Sequence, residues 1–167
     1  MMRLLPLVMV LLLGACGYHF PGQGGSLPGG VERIHVSMFD NLTSEPLLEN
    51  RLTTEVIDIF SGRSTIRHVA IEEAEAEMTG RILSYESSSI AYQQGDQISK
   101  YRASMVVAVR LQDIDNQALL WDGTVRWQTE YDASADKMLQ GDEERRVQDE
   151  LARRLAEEIF SRLLDDF

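Results

Sequence analysis

Residues able to make or break bonds are few in this chain, and their spacing does not suit that work. The three histidines are His19, His35 and His68. None lies four residues from another and no His-Glu-x-x-His run occurs, so a zinc site would need ligands gathered from three separate segments. Serines are plentiful, yet no Gly-x-Ser-x-Gly elbow presents one as a nucleophile. Glu72, Glu73, Glu75 and Glu77 make an acidic run that has the right atoms for a metal or for a shared proton. The run lies beside Met78, but nothing apolar closes over it to displace a pKa, so a solvated loop and strand edge is the better reading. The sequence therefore predicts no catalytic residue, no metal and no cofactor.

One side chain does carry a definite chemical expectation. Cys16 is the only cysteine, so it can form no internal disulfide, and a free thiol in an oxidising compartment would be a liability. It follows Arg3 and an apolar run from Leu4 to Leu13. Ten residues rise only about 15 Å as a helix, half of a hydrocarbon core, so the run reads as a signal peptide and not as a permanent span. Its end, Leu13-Gly14-Ala15-Cys16, resembles a bacterial lipobox, after which Cys16 becomes the first mature residue and carries acyl chains. Several acyl chains hold a protein durably to a bilayer without crossing it. Gly17 follows, not an Asp of the kind that resembles an inner-membrane retention signal, so the outer membrane is the expected address. Residues 1–15 are thus read as leader, and 16–30 as acylated cysteine and tether. Five glycines and two prolines between Phe20 and Gly30 leave no regular element there.

Non-covalent chemistry has more to work with. The chain has 167 residues, 16 Lys+Arg against 27 Asp+Glu, and a net charge of −11. A field of that sign repels a phosphate backbone, which excludes nucleic acid as a partner. Within this acidic background Lys100, Arg102, Arg110 and Arg126 fall in one strand phase, among Ser104, Val106, Ala108, Thr124 and Gln128. Cations beside small and apolar groups on one sheet surface suit a ligand with anionic headgroups and acyl chains, and arginine binds phosphate oxygens two at a time. The alternative is an ordinary solvated outer face. A second candidate surface is the polar stretch from Ser87 to Ser99, read as a hairpin tip, where Ile90, Tyr92 and Ile98 offer apolar anchors to a partner.

These groups must be positioned by one domain, residues 31–167, large enough to fold without staples. Ile34, Val36 and Met38 alternate with polar neighbours as a strand, with Phe39 on the polar side of that alternation. Thr43 or Ser44 is placed to cap a helix whose apolar face is Leu48, Leu52, Val56 and Ile59, ending at Gly62 in a left-handed conformation. Short strand near Thr65–Val69 and Met78–Tyr85 strand follow, with Gly80 weakening the latter. Tyr101 to Leu111 and Leu119 to Tyr131 alternate with period two around an Asp115-Asn116 turn, which predicts an antiparallel hairpin with one packed side. Val147, Leu151, Leu155, Ile159 and Leu163 give the last helix, about Asp142 to Leu164, with Asp149–Arg153, Glu150–Arg154 and Glu158–Arg162 pairs on its wet face. The expected fold is α/β (α+β), a two-layer sandwich with a mostly antiparallel four-stranded sheet covered on one face by two helices.

Cys16-Gly17-Tyr18-His19-Phe20 after the lipobox, Leu27-Pro28, Ile34-His35-Val36, Phe39 through Pro46, Leu48-Glu49 and Leu52-Thr53 resemble the lipopolysaccharide-assembly outer-membrane lipoprotein family, the E component of the lipopolysaccharide transport machinery. The likeness is sharpest over residues 13 to 60 and runs more loosely through nearly the whole chain. It implies a periplasm-facing domain anchored through Cys16. It also implies a large outer-membrane β-barrel lipopolysaccharide-assembly protein as partner, plugged and supported by this domain, and lipopolysaccharide as ligand. Lys100, Arg102, Arg110 and Arg126 are chosen for that ligand by phase and not by motif. The rival readings are an auxiliary outer-membrane lipoprotein of another envelope complex, binding protein only, and an envelope hydrolase, disfavoured by the chemistry above.

Overall fold

The computed structural model describes residues 27–62, 66–92 and 98–165. The signal peptide, Cys16, His19 and most of the tether lie outside the described residues. The described end of the tether departs from the expectation of no regular element, since Pro28–Gly30 form a single 3-10 turn and Leu27 is buried in the core. Elements run β1 (Arg33–Val36), β2 (Asp40–Asn41), α1 (Leu48–Ser61), β3 (Arg67–His68), β4 (Ala76–Tyr92), β5 (Ile98–Asp113), β6 (Leu119–Asp132) and α2 (Lys137–Asp165). They form one sheet in the order β3-β1-β4-β5-β6, with β2 also pairing β4. The four-stranded, mostly antiparallel expectation is therefore corrected to a six-stranded mixed sheet. β1 pairs parallel with both β3 and β4, and β2 parallel with β4, while β4-β5-β6 is an antiparallel meander. A parallel neighbour needs a crossover, and α1 supplies it between β1 and β3. β1 and β3 lie within the stretches the sequence marks as strands, but runs of two to four residues do not encode the direction of their pairing, and β2 is too short to show a period at all.

One face of the sheet carries the helices, and the two apolar layers meet in a single core. Leu48, Leu52, Val56 and Phe60 of α1 are buried with Val147, Leu151, Leu155, Ile159 and Leu163 of α2. Burying each such side chain contributes roughly 1.5–3 kcal/mol of transfer free energy. Phe60 and Phe160 close the helix pair edge to face at 5.2 Å. The expected faces of β5 and β6 are found in register, Met105 beside Trp127, Val107 beside Val125 and Leu111 beside Trp121.

Several local expectations are corrected. β1 ends at Val36, and the phase then flips: Met38 is 61% exposed and Phe39 is 1% exposed. The Phe39 ring occupies the place a side chain on Gly80 would take, since a Cβ there would lie 2.6 Å from Phe39 Cδ2. Gly80 thus admits the ring and does not weaken the strand. The approach to α1 is organised by Asn41, with the Thr43 hydroxyl accepting the Glu45 N–H at 3.2 Å, and neither Thr43 nor Ser44 caps the helix itself. The Asn41 Oδ1 accepts from the Thr43 N–H and hydroxyl, and its Nδ2 donates to Glu45 O and Glu49 Oε2. The helix then opens from Leu47 at φ 66°, with no side-chain cap. Gly62 closes it at φ −73°, right-handed, its N–H bonding Asp58 O. On α2, Asp149 pairs with Arg51 across the helix interface, Glu150 with Arg146, and Arg153 and Arg154 both with Glu157. Only Glu158–Arg162 forms among the three expected pairs.

Candidate functional site

The uncovered face of the β4-β5-β6 meander gathers the cations that strand phase had placed together. Cross-strand register sets them in rows: Thr79–Arg110–Asp122, Arg81–Ala108–Thr124, Ser84–Val106–Arg126, Glu86–Ser104–Gln128, Ser88–Arg102–Glu130 and Ala91–Lys100–Asp132. Rows repeat about every 7 Å along the strands, and neighbouring strands stand about 4.8 Å apart. Lys100, Arg102, Arg110 and Arg126 do share this face, but their surroundings differ. Arg102 donates to Glu130 Oε1 at 2.8 Å, and its hydrogen bond and charge hold the Glu130 carboxyl below its ordinary range. Lys100 stands opposite Asp132. Arg110 faces Asp122 across the strands without forming an ion pair, and Arg126 faces the half-buried Val106.

A third free guanidinium completes the group. Arg81 makes no ion pair among the described residues, and neither do Arg110 and Arg126. Arg81 lies in the row between theirs, so the three arginines surround a floor of Ala108, Val106 and Thr124. Beside Arg81 and Arg110 the surface sinks into a shallow depression of about 580 Å³, bordered by Leu83, Thr79 and Asp40. Small floor residues let a flat group approach the sheet, while three unpaired guanidinium forks above them suit anionic oxygens. In the sequence Gly80 interrupts the alternation that leads to Arg81. The alternation of buried Ala76, Met78 and Ile82 would have sent it to this face.

The second candidate surface is not a loose tip. β4 continues to Tyr92 and β5 begins at Ile98, so most of Ser87–Ser99 is a two-stranded ribbon; Gln93 to Gln97 lie outside the described residues. Tyr92 and Ile98 pair across it, 62% and 38% exposed, with Ile90 half-buried beside them. Tyr85, lower on the helix side of the same ribbon, is pushed up to about 12 by burial, eased by a hydrogen bond from Gln148.

The acidic run has structural partners. Glu75 Oε2 accepts the N–H groups of Glu32 and Arg33 at 2.8 and 3.1 Å and pairs with Arg33. Those backbone bonds hold its pKa down, ahead of the Arg33 charge. Glu77 accepts the Ser37 hydroxyl. Among the described residues no three His, Cys, Asp or Glu side chains converge on a common point. His35 stacks on His68 at 5.7 Å and bonds Val69 O through Nδ1. Because the folded-state pKa of Glu75 is depressed, the stability it adds is complete above the ordinary carboxylate range and is lost as pH falls through the folded value. Glu75→Gln is expected to cost about 1 kcal/mol at neutral pH, a modest figure for so exposed a group. Denaturant midpoints should show the gap between variant and parent closing as pH falls below the ordinary carboxylate range, and a gap constant with pH would contradict the assignment.

A family model for lipopolysaccharide assembly, LptE, matches residues 31–163. No curated protein matches the chain. Among solved structures, the rare lipoprotein B of Shewanella oneidensis aligns with TM-score 0.58 at 13% identity, covering 79% of this chain and 93% of that one. An uncharacterised lipoprotein B of Nitrosomonas europaea aligns with TM-score 0.58 at 17% identity, covering 89% and 90%. A hypothetical protein of Chlamydia trachomatis aligns with TM-score 0.57 at 12% identity, covering 79% and 95%. At these identities the structural likeness speaks for the fold.

Proposed function

The chain belongs to the LptE family of lipopolysaccharide-assembly proteins, and from that premise we propose that its domain occupies the lumen of the large outer-membrane barrel and holds lipopolysaccharide there by its phosphates. Family membership makes it a non-catalytic lipoprotein of the outer membrane, lipid-anchored and facing the periplasm. The finer reading is occupancy and guidance. Residues 1–15 are removed, Cys16 carries the acyl chains, the segment after it tethers the domain to the bilayer, and residues 31–167, with Leu27 packed into their core, act as one domain. The barrel gains a complementary filler during its assembly. The glycolipid gains a cationic seat on the way to the outer leaflet.

The observation that carries the glycolipid contact is the trio Arg81, Arg110 and Arg126, unpaired among the described residues and spread over a small-residue floor on an open sheet face. Of the four cations chosen by phase, Arg110 and Arg126 belong to this seat. Arg102 is engaged by Glu130, and Lys100 lies at the ribbon end of the face.

The test is capture of lipopolysaccharide by the purified acylated protein. Reversing all three arginines to glutamate should lower capture at least about tenfold, since a charge-assisted phosphate contact contributes on the order of 1.5–3 kcal/mol. Arg102→Glu should do much less, and added salt should weaken the parent's binding. Unchanged capture by the triple variant would overturn the arginine seat, and no capture by the parent, with the barrel still co-purifying, would leave the rival reading of an auxiliary subunit that binds protein only.

A further inference from the structure

β4 outruns the strands on one of its sides. β1 covers Ala76 to Met78 and β2 covers Arg81 and Ile82, after which the chain leaves through the Asn41 turn into α1. From Ser84 to Ser89, β4 keeps β5 in unbroken register on one side. On the other side, among the described residues, no strand pairs with it and no side chain bonds its backbone.

The aim of its backbone groups follows from the bonds just below. Ser37 N donates to Met78 O and Leu42 N to Ile82 O, both at 3.0 Å. Met78 and Ile82 therefore turn their peptide groups toward the β1 and β2 edge. Leu83 is the extra residue where the register shifts between Ile82 and Ser84, so the parity changes there. Above it, Tyr85, Ser87 and Ser89 face the open edge with their N–H and C=O groups. Six residues give about 20 Å of unpaired template.

Such an edge is a known hazard that proteins usually blunt with lysine, proline or a cover. Between Leu83 and Tyr92 this one has no proline and a single charge, Glu86. Exposed apolar side chains frame it, Leu42 and Leu47 at 60% and 56% near its start and Tyr92 at 62% near its end. We propose that the edge receives an extended segment of a partner polypeptide as an added antiparallel or parallel strand, with a basic side chain set against Glu86.

A row of alternating donors and acceptors at strand spacing is matched by another backbone. A second copy is a poor occupant, because each chain carries a net charge of −11 and like fields repel. The protein's own tether is badly placed. Gly29 lies against Leu120 on β6, across the sheet from the open edge and at its opposite end. The proposal rests on the lumen reading for its choice of partner, the large barrel.

Amide hydrogen exchange on the full acylated protein, free and in complex with the co-expressed barrel, tests it. Tyr85, Ser87 and Ser89 should slow by about tenfold or more on capture. Ser87→Pro with Ser89→Pro removes two edge donors while sparing the β5 ladder, and should cut recovery of the complex by about tenfold at unchanged circular dichroism of the free protein. Ser87→Ala with Ser89→Ala should keep both. If the proline pair does not fold, exchange on the parent decides. A captured complex whose edge amides exchange as in the free protein overturns the edge proposal alone. Failure of the parent to capture the barrel overturns it together with the lumen reading. Slowing that grows with concentration of the free protein assigns the edge to a second copy and overturns it as well.

Discussion

Gly80→Val is expected to lower the protein's stability by about 3 kcal/mol, at the upper end of what overpacking costs. The reason is the Phe39 ring, which fills the space above Gly80 so closely that a Cβ would stand 2.6 and 2.7 Å from its Cδ2 and Cζ. Those are ring carbons of a residue 1% exposed. The ring has no easy retreat, because the Phe39 N–H is held by Thr53 Oγ1 of α1 at 3.0 Å in a buried bond. The pair thus pins the β1–β2 joint to β4 and to α1 together. Phe39→Ala should cost about 3–5 kcal/mol by leaving a cavity. Combined with Gly80→Ala it should cost less than the sum of the two single changes, since the new methyl enters the vacated space. Denaturant midpoints at constant slope measure all of these, and a Gly80→Val midpoint equal to the parent's would refute the close fit.

Cys16→Ala is expected to abolish attachment of the mature protein to a bilayer that holds no barrel partner. Among the described residues no helix is long and apolar enough to cross a membrane, and the net charge of −11 gives no electrostatic grip on anionic headgroups. Attachment then depends on acyl chains, each buried methylene contributing about 0.8 kcal/mol, with two or more chains needed for durable anchoring. Floated with barrel-free lipid vesicles, the parent should rise with the lipid and the alanine variant should stay behind. Intact mass of the parent should show a chain beginning at Cys16 with acyl groups added. An unmodified thiol there, or flotation of Cys16→Ala with barrel-free vesicles, would remove the anchor.

What the sequence disclosed depended on the length of each pattern. The stripe of α2 and the alternation of β5 and β6 span enough residues for a period to rise above chance, and the structure has them on the expected faces. β1, β2 and β3 offer two to four residues each, and their parallel pairing depends on α1 returning the chain, which no local pattern encodes. The ribbon from Ser87 to Tyr92 read as loop because polar side chains on both faces erase alternation, although backbone pairing needs none. The shared face of Lys100, Arg102, Arg110 and Arg126 was legible as the complement of the apolar phase. Their individual circumstances were not, since Arg102 meets Glu130 only once the register of β5 on β6 is known. Arg81 stood one step beyond a glycine whose purpose, admitting Phe39, is visible only in three dimensions.

The mixed sheet also dictates an order of assembly. The β4-β5-β6 meander joins neighbours in sequence and can zip together over short loops, whereas Ile34 must meet Ala76 across a long intervening stretch whose closure is slow and entropically opposed. A polypeptide delivered amino end first therefore presents β1 well before its template exists. The earliest strand to arrive is among the last to dock, and until it does the core lies open along that margin, the interval in which a newly exported chain has most to gain from a chaperone.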